Sequence, residues 1–303
     1  MAVRVGIQPS TIITFLITSQ YLSHTMLTIS DHRRDSAGMT YVYPVVSRRA
    51  GGVSVGINLN TNNACNWACL YCQVPELKRG GPPPIDLDRL EMELRRFLRE
   101  AVHGDYLVRN APPEARRLVD VAFSGNGEPT SAAEFADAVL RLERVLQDLS
   151  LLGVLKVRLI TNGSLMHREN VQLGLARIAR LGGEVWFKLD RATAAGVRRI
   201  NSVGHFSSAR LCATVRQCAQ LVPIWIQTCW FALDGEAPSA LEQDAYLACL
   251  DLLRPYIQGV LLYGPARPSL QPESFRISAV PPEIMQGVAD RIEALGVKVI
   301  MTP

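Results

Sequence analysis

An α/β fold, an open and partial TIM-like (β/α)6 barrel finished by a C-terminal helix and strand, is what this chain predicts, on two observations. Six apolar runs of strand length recur between residues 53 and 263, and each ends in a polar or glycine-containing tip. Each tip is followed by a stretch with helical spacing, and no linker separates the first run from the last, which favours one parallel sheet over two domains. Length and composition permit this, since 303 residues with 48% hydrophobic content can bury one large core.

The elements follow in order. Residues 53–59 form the first strand, and Pro82-Pro83-Pro84 is a rigid spacer into a helix carrying Leu87, Leu90, Leu94 and Phe97. Residues 118–123 are the second strand; after it Ser131 and Glu134 read as a capping box for a helix in which Phe135, Val139, Leu142, Leu146 and Leu149 repeat. The third strand, 155–160, ends in Thr161-Asn162-Gly163-Ser164, and a helix with Val171, Leu175 and Ile178 runs to Gly182-Gly183. Residues 185–189 are the fourth strand, with Lys188 and Asp190 at its tip, and 224–231 the fifth, after which Ser239 and Glu242 read as a second capping box. The sixth, 260–263, precedes Gly264-Pro265 and a helix carrying Ile284, Val288 and Ile292.

Residues 1–40 stand apart, with no acidic residue before Asp31 and an apolar run at 11–17 too short to span a membrane. A signal peptide is not evident. The stretch is expected to be a disordered extension or a start set too early, with Met26 or Met39 as alternatives, leaving 41–303 as one domain. No membrane partner is expected, and the cytoplasm is the expected location.

Chemistry concentrates in Cys65-Asn66-Trp67-Ala68-Cys69-Leu70-Tyr71-Cys72. A zinc site wants four ligands, usually in two pairs, and no second Cys or His pair lies nearby. A disulfide scaffold is not needed by a chain with an ample core and seven cysteines. Three thiolates suit a four-iron four-sulfur (4Fe-4S) cube with one open iron, against the alternative of three buried thiols. The other four cysteines are scattered. Cys212 and Cys218 lie six apart on one helix, about 120° around its axis, so they do not face one metal together. Cys218 follows Leu211 and Val215 on an apolar stripe, Cys249 sits in another with Ala245 and Leu252, and the strand face of Cys229 is ambiguous. An auxiliary cluster from these four is not expected, and the five histidines show no metal-ligand spacing. A second motif, Phe123-Ser124-Gly125-Asn126-Gly127-Glu128-Pro129-Thr130, closes the second strand: its glycines let backbone approach a ligand, and its carbonyls and Glu128 can accept from an ammonium group.

C-x3-C-x2-C with Tyr71 before the last cysteine resembles the cluster motif of the radical S-adenosylmethionine (SAM) superfamily, whose core is a partial (β/α)6 barrel. The resemblance implies an enzyme that reductively cleaves SAM on a 4Fe-4S cluster to a 5′-deoxyadenosyl radical and abstracts hydrogen from a substrate. It implies cluster ligation by Cys65, Cys69 and Cys72, with SAM contacts from Tyr71, from Ser124, Gly125, Asn126, Gly127, Glu128 and Pro129, and from Asn162, Lys188 and Asp190. Asn162, Lys188 and Asp190 fall where the superfamily holds the ribose hydroxyls and carboxylate of SAM. A low-potential electron donor, flavodoxin or ferredoxin, is implied as partner.

Pro44-Val45-Val46-Ser47-Arg48-Arg49, Gly56 to Leu59, the cysteines with Gln73, Phe123 to Thr130, Thr161 to Leu165 and Lys188-Leu189-Asp190 together resemble more narrowly the wyosine synthetase-like group, over residues 42–270. That group includes tRNA-modifying enzymes, but those carry further cysteines upstream, and none precedes Cys65 here. A net charge of +4 is only mildly basic, and the arginines around Arg95, Arg96 and Arg99 alternate with glutamates as on a solvated face. The substrate, small molecule or RNA, stays open; Arg48 and Arg49 are candidates to meet its phosphate or carboxylate. A non-catalytic iron-sulfur or zinc-binding module is the competing class.

Overall fold

The computed structural model describes residues 26–28, 33–34, 37–47, 51–265 and 267–302. Its main sheet runs β1 (Val42–Ser47), β2 (Gly52–Ile57), β3 (Leu118–Phe123), β4 (Lys156–Thr161), β5 (Glu184–Lys188), β6 (Ile224–Cys229), β7 (Gly259–Tyr263) and β8 (Val299–Thr302). The strands lie side by side in chain order, β1 antiparallel to β2 and every later neighbour parallel. Parallel neighbours need right-handed crossovers, and crossovers that all step the same way put the helices on one face and curl the sheet into an open half-barrel. Strands β2 to β7 are the six expected from sequence, with small shifts at their ends, and β8 is the expected C-terminal strand.

The longer helices are α1 (Leu87–His103), α2 (Phe135–Asp148), α3 (Glu169–Arg180), α4 (Ala194–Asn201), α5 (Ser208–Ala219), α6 (Ala240–Leu253) and α7 (Pro282–Glu293), and the end of α4 meets the cysteine loop, the N–H groups of Ala68 and Leu70 donating to the carbonyls of Asn201 (3.2 Å) and Ile200 (2.8 Å). Asp86 caps α1 by accepting from Arg89 N–H at 2.9 Å, and Leu90, Leu94 and Phe97 are fully buried one turn apart. Burial of each such side chain stabilises by about 1.5–3 kcal/mol. The first capping box does not form: Pro129–Ser131 is a 3-10 turn in which Ser131 Oγ donates to the Glu128 carbonyl, so α2 starts at Phe135 with no side-chain cap. The second forms in its forward half, Ser239 Oγ accepting from Glu242 N–H at 3.3 Å. Two stripe positions fall outside the core, because the buried faces are Met285, Val288 and Ile292 on α7, and Tyr246, Cys249 and Leu253 on α6. Ile284 and Leu252 are exposed.

Strand β1 contains Pro44, which suits only an edge, and an edge is where β1 lies. Its start is held by buried Glu93 of α1, whose carboxylate accepts from the N–H groups of Thr40 (3.0 Å), Tyr41 (2.7 Å) and Val42 (3.3 Å). Most of the expected extension at 1–40 lies outside the described residues, but Leu27, Ala37 and Met39 are buried in the core, which therefore reaches back before residue 41. Arg48 and Arg49 also lie outside them; the flanking Ser47 and Gly52 pair at the end of the sheet away from the cysteines. Among the described residues no helix is long and apolar enough to cross a membrane.

The inner face is polar low in the lumen. A register shift between Val53 and Ser54 sets Ser54 opposite Asp120, and Ser54 Oγ donates to Asp120. Asp120 also pairs with Arg158, whose Nε donates to Glu184 at 2.8 Å and whose guanidinium lies 4.8 Å from the Trp186 ring.

Candidate functional site

All the loops that matter leave the C-terminal ends of the parallel strands, where ligands bind in such sheets. Asn58, at the tip of β2, accepts through Oδ1 from the N–H groups of Asn60 (3.1 Å) and Asn126 (3.0 Å), which lashes the loop after β3 to the start of the cysteine loop. Gly125 has φ +157°, and a Cβ there would stand 2.3 Å from Asn58 Oδ1. A Cβ on Gly127 would stand 2.2 Å from the Ala64 carbonyl. Both positions need glycine.

Glu128 is 2% exposed and joins two strand tips. Its Oε1 accepts from Thr130 N–H (3.1 Å), Thr130 Oγ1 (2.5 Å) and Thr161 Oγ1 (2.7 Å), and its Oε2 accepts from Asn162 N–H (2.7 Å). Burial raises its carboxyl above the ordinary value, against those donors. Asn162 Nδ2 reaches Asn66 Oδ1 at 2.9 Å, tying the cysteine loop to β4. From the other side, Ser269 Oγ donates to the carbonyls of Leu70 (2.5 Å) and Cys72 (3.1 Å), and Arg267 donates to Gln73 Oε1 at 2.9 Å.

At the tip of β5 the Lys188 ammonium donates to Tyr263 hydroxyl at 3.0 Å and lies 4.8 Å from the Tyr71 ring. Burial works against its charge, but Asp190, Tyr263 and Cys69 outweigh it and hold the ammonium above lysine's ordinary value. Asp190 is buried behind these groups: it accepts from Tyr71 hydroxyl, from Asn201 Nδ2 (3.0 Å) and from Cys229 N–H (2.9 Å). Burial pushes the Cys65 thiol up to about 11 and the Cys69 thiol to about 12, and raises Cys72 as well.

One cavity of about 310 Å³ collects these residues and continues down the lumen to Asp120 and Arg158. Of the residues expected from sequence, Cys65, Cys69, Tyr71, Cys72, Ser124, Gly125, Asn126, Gly127, Glu128, Asn162 and Lys188 all line it. Asp190 and Pro129 do not: Pro129 is buried in its turn, and the Asp190 carboxylate is turned to Tyr71 and Cys229.

The chain spans 86% of its length in register with a radical SAM methyltransferase from Sphaerobacter thermophilus, at TM-score 0.58 and 14% identity, covering 68% of that chain. SuiB of Streptococcus suis bound to S-adenosylmethionine aligns at TM-score 0.55 and 13% identity, over 84% of this chain and 50% of that one. TYW1 with a lysine-pyruvate adduct bound aligns at 0.50 and 13%, over 82% and 74%. The fold is that of the radical SAM enzymes. No protein-family model matches the chain. In sequence, 135 residues (44% of the chain) are 27% identical to GTPase Obg of Brachyspira hyodysenteriae, of which they cover 17%. No Gly-Lys pair occurs in this chain, so it has no GxxxxGK[S/T] phosphate loop, and the chain spans about half of SuiB and a sixth of that GTPase.

The donor set fits the cofactor of the radical SAM fold. Among the described residues no three His, Cys, Asp or Glu side chains are placed to hold a single metal ion, and a cube bound at three corners spreads its thiolates wider than one ion does. Trp67 N–H (3.5 Å) donates to Cys65 Sγ and Asn201 Nδ2 (3.2 Å) to Cys69 Sγ, an arrangement that would suit thiolates held on iron. The remaining cysteines do not gather: Cys212 and Cys249 face each other at 3.6 Å between α5 and α6, Cys218 is in the core, and Cys229 lines the cavity. Sequence reasoning missed Asn58, Tyr263, Gln227 and the 267–271 clasp. The pair Asn58-Leu59-Asn60 at a strand end was a usable sign, but the clasp depends on contacts about 200 residues apart and left none.

Proposed function

We propose that this chain is a radical SAM enzyme. The observation that carries the reading is the convergence of Cys65, Cys69 and Cys72 with the Ser124–Glu128 loop, Asn162 and Lys188 on one cavity at the C-terminal ends of the strands. When bound, a 4Fe-4S cluster carrying SAM supplies reductive cleavage of the sulfonium and a 5′-deoxyadenosyl radical able to take hydrogen from an unactivated carbon. The chain's own part is placement. Cys65, Cys69 and Cys72 hold the cluster; the Gly125 to Gly127 backbone presents carbonyls to the methionyl ammonium; and the Lys188 ammonium supplies a fixed cation for the carboxylate. Asn162 offers an amide to the sugar edge, and Tyr71 walls the cavity with its hydroxyl held by Asp190. Asp190 acts as a positioning residue.

The strand tips and Arg267 line the cavity, and a cofactor bound there would leave little room for water beside reactive species. A flavodoxin- or ferredoxin-class protein is the proposed electron donor, in the cytoplasm.

Anaerobic reconstitution with iron and sulfide tests the reading. About four irons per chain are expected, with an electron paramagnetic resonance signal of the reduced cluster that changes when SAM is added. Loss of most of that iron is expected in Cys72→Ala. A reduced cluster whose spectrum ignores SAM would count against an open iron, and so against the proposal.

A further inference from the structure

Cys229 is the cysteine that the cluster does not use and that the sequence left without a face. It ends β6, and the alternation of that strand is plain. Thr228 turns outward, its Oγ1 sharing a 2.6 Å hydrogen bond with Tyr246 of α6, whereas Gln227 and Cys229 line the cavity. The Cys229 side chain is 1% exposed and packs with Leu70, Phe231, Tyr71 and Tyr263. Its position is fixed relative to the cysteine loop, because the Asp190 carboxylate that accepts its N–H also accepts from Tyr71 and Asn201, and Asn201 donates to Cys69 Sγ.

A second observation points to a ligand beside it. Gln227 lies two residues earlier on the same face, is 1% exposed, lines the same cavity, and its Nε2 has no hydrogen-bond partner among the described residues. A buried amide left unmade is costly, so this one calls for an acceptor on a bound molecule. That molecule would lie along β6, within reach of the Cys229 thiol.

We propose that Cys229 is a hydrogen-atom donor to carbon-centred radicals formed in this cavity. The inference rests on the SAM-cleaving reading. With Cys65, Cys69 and Cys72 committed to iron, the Cys229 S–H is the remaining thiol lining the cavity among the described residues. An S–H bond is weaker than an alkyl C–H bond, so transfer to an alkyl radical runs downhill. The S–H bond breaks homolytically, a C–H bond forms, and a thiyl radical is left on Cys229. One electron from the low-potential flavodoxin- or ferredoxin-class donor and one proton from solvent restore the thiol. Tyr71, in the cysteine loop itself, packs in the same apolar cluster as the thiol.

Turnover without substrate tests this. The reconstituted protein, equilibrated in D2O, is given dithionite and SAM, and deuterium is read per molecule of 5′-deoxyadenosine by mass spectrometry. One deuterium from the exchangeable thiol is expected in the wild type, its loss in Cys229→Ser, whose O–H bond is too strong to donate, and its retention in Cys212→Ser, whose thiol lies between α5 and α6 away from the cavity. A nitrone spin trap, present during wild-type turnover, is expected to leave its adduct on the peptide containing Cys229. Label that persists in Cys229→Ser, or an adduct confined to other residues, overturns the assignment. Unlabelled 5′-deoxyadenosine from the wild type overturns this inference alone, whereas no 5′-deoxyadenosine at all overturns the SAM reading and this inference with it.

Discussion

Gly127 shows how little space the site leaves at the level of single atoms. A Cβ there would press on the Ala64 carbonyl at 2.2 Å and on the Asn60 amide at 2.6 Å, both part of the frame that carries Cys65. Backbone cannot yield as a flexible side chain can, so Gly127→Ala is expected to cost about 1–3 kcal/mol and to weaken SAM binding. Gly81→Ala, where nothing among the described residues would lie within 4 Å of the added Cβ, is the control and should stay within about 0.5 kcal/mol. Urea denaturation of both variants checks this, and equal stabilities would show that the loop has slack. Glu128 belongs to the same scale. Its carboxylate is occupied by four protein donors, so its main part is to hold the tips of β3 and β4 together while the glycine backbone beside it faces the cavity.

Among the elements, α1 and α2 are joined by Glu91, which accepts from Arg141 at 2.7 Å and from Arg95 at 2.7 Å. The hydrogen bonds from Arg141 and Arg95 lower its carboxyl below the ordinary glutamate value. A depressed carboxyl gives stability that is present above the unfolded value, about 4.3, and is lost as pH falls through the lower folded value. The unfolding free energy of the wild type, from urea denaturation, should therefore drop more than that of Glu91→Gln between pH 5 and the acid limit of folding, by roughly 1 kcal/mol or less because the pair is partly solvated. Parallel acid profiles would remove Glu91 from the account.

The same scale shows what could be read in advance. Apolar runs of strand length predicted β2 to β7 because strands buried on one face by helices must carry such runs. The helix stripe of Val171, Leu175 and Ile178 was right throughout, whereas the stripes that included Ile284 and Leu252 failed at those positions, where neighbouring apolar residues took the core face instead. The Ser131 and Glu134 box failed because the Glu128 cradle claims that turn first. Asp190 was legible as a strand-tip acid, but the direction of its carboxylate depends on Tyr71, Asn201 and Cys229, which lie far apart in sequence.

For the molecule as a whole, strand order equal to chain order leaves a concave lumen on one side of the sheet, with the crossover helices packed on the other. This geometry brings three cysteines after β2, a glycine loop after β3, an amide after β4, a lysine at the end of β5 and a thiol at the end of β6 around a single cavity. The central claim is that this cavity cleaves SAM. Anaerobic incubation of the reconstituted protein with SAM and dithionite, followed by mass spectrometry of the nucleosides, tests it most directly. The account predicts 5′-deoxyadenosine from the wild type and none from Cys65→Ala, Cys69→Ala or Cys72→Ala; a wild type with its cluster in place that forms no 5′-deoxyadenosine would contradict it.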